Sequence, residues 1–540
     1  MMSFCLSVGS PAMITYSLTL TILNRYWVRE RFHKLSVKAQ SRTVHDRYAE
    51  YSNRVRAIQY LLQEAQQVPL RASQEKGWLS SLLVAPKNQA WWRNVQRRLR
   101  RTRRGVAFSL VAQILAAAIA WLFTVSSSFV TSTGDIVVAN QLSSGSLWMW
   151  LIPIIWGWVT VGTQASADSI NEALRAGDAY RAKEPPVSDE GPFTEKGEQL
   201  GIVVRTGLAL QPHRAATNEA AFEAPPVTNL ELPSWCGADV IGDERLEGPI
   251  FNYARVFTWW QLARTIESAT ATTLAALADG RTCKPGVDKP DGSLWNSNKR
   301  PEENLAGDSY TTARYCGLDL GRAPIMAYPE WSEIAAEVWK RIFVAAVFAI
   351  FVQWGTTGPG ILIAYYTPTR GIGCRSGGYA LYGGLGAAVW ILLTASMLFS
   401  HAALLRYQRQ QREAPSMDFR KNTTGSRSLQ GYVRTWGHSA LCGTAVLTPV
   451  LGKLVAVLNA CWLVLSSLLE YTGVYDRCYC EGNQLGLGEK GWVVLFKTDA
   501  ELAQFATTLR AGGVAMSIIV CLITYFFFCL GSRKGYLSGA

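Results

Sequence analysis

Charge is scarce in this 540-residue chain: 17% of its residues are Asp, Glu, Lys or Arg, against about 25% in ordinary soluble domains. None of that charge falls within six apolar runs, at 107–128, 147–163, 343–366, 379–400, 454–469 and 511–530. The lack of acidic residues there argues against a carboxylate proton relay. Histidine is sparse as well (His33, His45, His213, His401 and His438), and none stands in an H-E-x-x-H. His401 and His438 flank expected helix ends, where an interfacial role suffices. There is no P-loop. The stretch "GIGCRSGG" lacks the third glycine of a dinucleotide fingerprint, Ser376 standing in its place, and no strand–helix unit surrounds it. Cys236, Cys283 and Cys316 are too widely spaced for a zinc site built on C-x-x-C. Nothing catalytic is visible, so the expectation is a protein that is not an enzyme and that needs no cofactor and no metal.

What is present is oil. A helix crossing the hydrocarbon core needs about 20 apolar residues, and the six runs meet or approach that length. A seventh stretch, 11–23, reaches it only if residues 4–10 join it. It makes a poor signal peptide, because no basic region precedes it and Asn24-Arg25 follow without a small-residue cleavage site. The expected fold class is therefore an all-α membrane protein. It has six long transmembrane helices, or seven with a short N-terminal span, plus a large mixed, loop-rich cytoplasmic insert.

Lysine and arginine counts orient the spans. Residues 24–106 hold 19 Lys/Arg against 5 Asp/Glu, 401–438 hold 7 against 2, and 531–540 hold 2 against none. By contrast 129–146 carries only Asp135, and 467–510 holds 4 against 6. Alternation from a cytoplasmic 24–106 agrees with these counts. The resulting organisation is a possible membrane segment at 1–23, a basic helical cytoplasmic region at 24–106, and a hairpin at 107–163. An acidic cytoplasmic insert (164–342) and a second hairpin (343–400) with an external turn at 367–378 follow. A basic cytoplasmic loop (401–438), a third hairpin (439–530) with an external loop at 470–510, and a cytoplasmic tail (531–540) complete it. The location is integral to a membrane, the plasma membrane or one of the secretory pathway. The "NTT" at Asn422 falls on the cytoplasmic side and should stay unmodified.

Several local patterns deserve names. Tyr48, Tyr51, Val55, Ile58, Leu62 and Ala65 recur at helical spacing and predict one packed helix face. Arg93, Arg97, Arg98, Arg100, Arg101, Arg103 and Arg104 lie just before the first long run. They are a topology signal and a candidate for anionic inner-leaflet headgroups, each worth about 1 kcal/mol near such a surface; nucleic acid is not expected there. Around 256–263, Val256, Trp259, Trp260 and Ala263 share a face, fitting either an interfacial helix or the buried helix of a small domain. Cys374, Cys478 and Cys480 are expected outside, where a disulfide could form. Arg370 and Arg375 in the glycine-rich turn could hold an anion.

Two spans carry Gly/Pro breaks: "VQWGTTGPG" at 352–360 and "TPVLGK" at 448–453. Interrupted spans mark mid-membrane transport sites, which makes Gln353, Thr356, Thr357 and Lys453 the candidate transport residues; close helix packing is the competing reading. Ala112, Ala116, Ala120, Gly384 and Ala388 likewise suggest close helix contacts.

The segments "SPAMITYSLTLTILNR" (10–25), "PIFNYARVFTWWQLA" (249–263) and "VQWGTTGPGILIAYYTPTRGIGCRSGGY" (352–379) resemble uncharacterised multi-pass membrane proteins of filamentous fungi. In that family a longer lead precedes "SPAMITYSL". The resemblance implies a membrane location and a lineage, and no chemistry. Two functions remain open: a non-enzymatic membrane scaffold or sensor whose cytoplasmic parts engage a protein partner or lipids, and a transporter or channel using the third and fifth spans.

Overall fold

The structure is a computed structural model. It describes residues 2–72, 77–102, 108–130, 136–161, 163, 166–175, 179–183, 222–223, 234–235, 238–240, 242–246, 248–283, 294–318, 328–365, 369–370, 372–417, 429–472, 494–495 and 499–533.

These residues form α1 (Met2–Gly9), α2 (Pro11–Ala39), α3 (Arg42–Tyr48), α4 (Tyr51–Glu64), α5 (Trp78–Val84), α6 (Gln89–Thr102), α7 (Phe108–Val130), α8 (Ile136–Trp148) and α9 (Leu151–Val161). There follow α10 (Ala167–Leu174), α11 (Val256–Ala278), α12 (Pro301–Asn304), α13 (Ser309–Tyr315), α14 (Ala336–Tyr365), α15 (Cys374–Met417), α16 (Leu429–Tyr471) and α17 (Asp499–Arg533). Strand structure among them is confined to antiparallel two-residue pairings: Arg71–Ala72 with Phe222–Glu223, Ser234–Trp235 with Ala238–Asp239, and Thr369–Arg370 with Val494–Leu495.

Five helical segments are long and apolar enough to cross a membrane: Gln141–Val161, Ala336–Tyr365, Arg375–Arg409, Ser439–Leu469 and Ala506–Leu530. The run at 107–128 falls in α7, whose apolar stretch Ile114–Val130 is shorter. Large side chains such as Phe123, Phe343, Leu458, Val464 and Leu530 stand exposed around the bundle, as expected where the surrounding solvent is lipid.

Three local expectations are corrected. Much of the loop expected at 129–146 is helix: α8 begins at Ile136 and buries Ala139, Leu142 and Ser143. The turn at 367–378 is shorter than expected, because α15 starts at Cys374; the Ser376 hydroxyl accepts from the Gly373 amide at 3.0 Å, satisfying one of the free donors of a helix start. Finally, the Gly/Pro motifs do not interrupt their helices. α14 runs unbroken through Pro359 and α16 through Pro449. The glycines serve close approach instead: a Cβ on Gly355 would meet Val520 of α17 at 2.7 Å, and one on Gly360 would meet the Ser143 carbonyl of α8 at 3.1 Å. Small residues in these helices are where backbones come together without a hydrophobic drive between them. The small residues of α7 behave otherwise, since Ala112, Ala116 and Ala120 are exposed, and Trp121 packs on Gly145 of α8 in their stead.

At one end of the bundle α3–α6 and α10–α13 form a helical lobe around the lower half of α2. The face predicted from Tyr48, Tyr51, Val55, Ile58, Leu62 and Ala65 is buried throughout, although α3 and α4 divide it at 49–50. α11 is a buried helix of this lobe: Phe257, Trp259, Trp260, Leu262 and Ile266 all lie inside. Burying such side chains is worth about 1.5–3 kcal/mol each. One continuous core joins the lobe to the bundle through α2.

Candidate functional site

The centre of the bundle is a helix break that the Gly/Pro motifs did not foretell. "GSP" at 9–11 ends α1 and starts α2. Pro11 occupies the first turn, where its missing N–H costs nothing, and Ser10 caps the helix, its hydroxyl accepting from the Met13 amide at 3.2 Å. A Cβ on Gly9 would lie 2.0 Å from the Ala456 carbonyl oxygen of α16, so only glycine fits there.

A break inside a bilayer frees backbone groups that lipid cannot satisfy. Here side chains from three surrounding helices answer them. From α14, Gln353 offers Oε1 to the Ala12 amide at 2.9 Å. From α15, the Tyr382 hydroxyl donates to the Val8 carbonyl at 2.8 Å, and the Gly386 carbonyl accepts from the Ser10 hydroxyl at 2.6 Å. From α16, Asn459 Nδ2 donates to the Gly9 carbonyl at 2.7 Å and to the Tyr382 carbonyl at 3.0 Å. Gln353, Thr356 and Thr357 are all buried. Gln353 Nε2 reaches Thr357 Oγ1 at 3.4 Å, and the Thr356 hydroxyl donates back to the Val352 carbonyl at 2.9 Å. Three of the four candidate transport residues thus sit together, and the Gln353 carbonyl serves a helix start.

Below the break α2 is pinned to residues 248–255. Asn252 Nδ2 donates to the Ser17 carbonyl at 3.0 Å and to Thr21 Oγ1 at 2.9 Å, and Gln67 Nε2 donates to Thr21 Oγ1 at 2.7 Å. Where α2 leaves the bundle, Arg341 Nη1 meets Asn24 Oδ1, and Trp27 Nε1 and Arg31 Nη2 donate to Glu337 at 2.8 and 2.9 Å.

Lys453 is not with Gln353. It lines a cleft of about 210 Å³ between α15, α16 and residues 240–254. Its ammonium pairs with Asp243, which also accepts from the Tyr253 hydroxyl. Burial, and then the Asp243 charge, hold the Tyr253 phenol well above its usual pKa, so it acts as a donor. Tyr328 donates to Glu244 Oε2 at 3.0 Å, and Arg255 Nη1 donates to the Glu244 and Leu246 carbonyls at 3.0 and 2.7 Å. Sequence reasoning found Lys453 and missed Asp243, Tyr253 and Asn252. Ser-Pro after glycine was the one available sign of the break.

The other candidates are dispersed. Arg375 is buried and donates to Ser143 Oγ at 3.2 Å. For Arg370 only the backbone, in its strand pairing, is described. The thiol of Cys374, with Cys478 and Cys480, lies outside the described residues, as do Cys236, Asn422, Arg103 and Arg104. On α6, Trp91, Trp92, Val95 and Leu99 face inward while Arg93, Arg97, Arg98, Arg100 and Arg101 are exposed. Arg93 pairs with Glu50 at 2.9 Å, Arg98 Nη1 donates to the Glu172 carbonyl at 3.3 Å, and Arg100 lies over the Tyr60 ring at 5.5 Å. Cys283 and Cys316 are free buried thiols in the lobe; burial raises both, Cys316 to about 12. Among the described residues no group of three or more His, Cys, Asp or Glu could hold a metal ion. No protein-family model, curated protein or solved structure matches the chain.

Proposed function

We propose that the chain is a multi-pass integral membrane protein acting as a non-enzymatic scaffold or sensor, in which α2 links the bundle to a cytoplasmic lobe. The reading adds α7 to the five long spans as a sixth, and the α1–α2 pair as a seventh, interior crossing. The Lys/Arg distribution supports a cytoplasmic lobe in the plasma membrane or a secretory-pathway membrane. One observation carries the choice of scaffold over transporter: Gln353 of the third span is engaged in holding the α1–α2 joint, and the hydroxyls of Thr356 and Thr357 bond within α14 itself. A transporter is the second reading. It is favoured by the joint itself, since discontinuous helices at mid-span are what transporters use around substrate.

Purified protein in sealed vesicles separates the two. The scaffold reading expects no ion or small-solute flux above that of protein-free vesicles. Flux that disappears in a variant carrying Gln353→Leu and Thr356→Leu overturns it in favour of transport. For orientation, Ser41→Cys and Asn298→Cys, both on exposed parts of the lobe, are expected to add thiol labelling by an impermeant reagent only after cells are permeabilised. Added labelling in intact cells inverts the arrangement.

A further inference from the structure

We propose that the cleft around Lys453 is a lipid site for a phospholipid with a primary-ammonium, ethanolamine-type headgroup. The inference rests on membrane embedding and is independent of the choice between scaffold and transporter.

Depth is the first argument. Gln353 stands near the middle of Ala336–Tyr365, and Arg341, level with Asn24 at the lobe, is about 18 Å of helix away. On α15 the cleft residues Ser396 and Ser400 lie about 15–21 Å beyond Gly386, the residue that meets the break. Half of a bilayer's hydrocarbon core is about 15 Å. The cleft therefore sits where acyl chains give way to headgroups, and Lys453, starting higher on α16, reaches down to it as interfacial lysines do.

The second argument is continuity with the lipid-facing surface. Val450 lines the cleft and is 57% exposed. Leu447, Leu451 and Leu454 beside it are exposed too. The mouth is thus an apolar stripe of a spanning helix, on which an acyl chain can lie.

Charge is the third. The polar end presents an ammonium, Lys453, beside two carboxylates, Asp243 and Glu244. A headgroup bearing phosphate and ammonium complements both signs: the phosphate diester exchanges onto Lys453 while its ammonium takes the place of Lys453 at Asp243. A lipid with phosphate alone meets two carboxylates with nothing to offer them. A choline headgroup has no N–H to donate.

The test uses the full chain, delipidated and reconstituted in discs with equal amounts of ethanolamine, choline and glycerol phospholipids, with the retained lipids counted by native mass spectrometry. Ethanolamine lipid should be enriched about tenfold over each competitor, roughly one good charge-assisted contact. Val450→Trp, which blocks the mouth without touching the ion pair, and Asp243→Asn should each return the ratio to that of the bulk lipid. Thermal unfolding of both variants establishes that they are folded; if Asp243→Asn is not, Val450→Trp decides alone. Equal retention of the three lipids, preference for the glycerol lipid, or an enrichment unmoved by Val450→Trp overturns the proposal. So does displacement of the lipid by soluble phosphoethanolamine, which would make the occupant water-soluble.

Discussion

At the scale of single residues, the fold depends on polar side chains placed against free backbone groups. Gln353 is the clearest. Its carbonyl accepts from the Ala12 amide at 2.9 Å, and in lipid that donor has no water to fall back on. Gln353→Leu is expected to destabilise the protein by about 1–3 kcal/mol, the cost of a buried donor left unsatisfied. Gln353→Glu, which enters the bilayer neutral and keeps a carbonyl oxygen, should recover most of that loss. Unfolding of the purified protein in denaturing detergent measures both; equal loss in the two variants would mean that the Ala12 contact is incidental. Little of this was legible beforehand. The sequence marks Gln353 as a polar residue in an oily run, but whether it meets solute or backbone depends on a serine 343 positions earlier in the chain.

Elements were legible where one face repeats and misread where a single residue was asked to speak for a helix. The buried face of α4 follows from spacing alone, because an apolar stripe at helical period turns inward. Pro359 and Pro449 gave the wrong breaks, since a proline removes one hydrogen bond and neighbouring helices make good the loss. The break at Ser10 occurs where proline costs nothing. The arginines of α6 show the same limit: sequence places them before a span without giving the helix's direction. In the structure α4 runs antiparallel to α2, with Gln63 at Arg25 and Arg56 at Ser36. α6 runs parallel to α4, with Gln89 at Arg54 and Arg100 at Tyr60. α6 therefore points its last turn at the bundle and carries Arg93 about 10 Å farther out, near the Debye length of about 10 Å at 0.1 M salt. Binding of the protein in discs to anionic lipid should fall when Arg100 and Arg101 are both changed to Gln, by about 1 kcal/mol each, and should hardly change with Arg93→Gln. An equal effect at Arg93 would mean that α6 lies flat on the surface.

At the scale of the molecule, one helix belongs to both halves. α2 is about 43 Å long, its upper half walled by α14, α15 and α17 and its lower half by α4 and α11. The acidic insert supplies α11 and the 248–255 segment that hydrogen-bonds Ser17 and Thr21. The shared face of Val256, Trp259, Trp260 and Ala263 marked the helix but left open whether it lay at the membrane interface or inside a domain, because an apolar face at helical spacing suits both. Lobe and bundle should accordingly open together. Amide exchange in α2 is expected to be uniformly slow from Ile14 to Phe32, without a step at Asn24 where the helix leaves the bundle, because no boundary there lets one half open while the other stays closed. Asn252→Ala, which removes the donor shared by Ser17 and Thr21, should speed exchange on both sides of Asn24. If the lower half of α2 alone responded, the lobe would be a separate body resting on the membrane, and α2 would be a tether instead of a shared core.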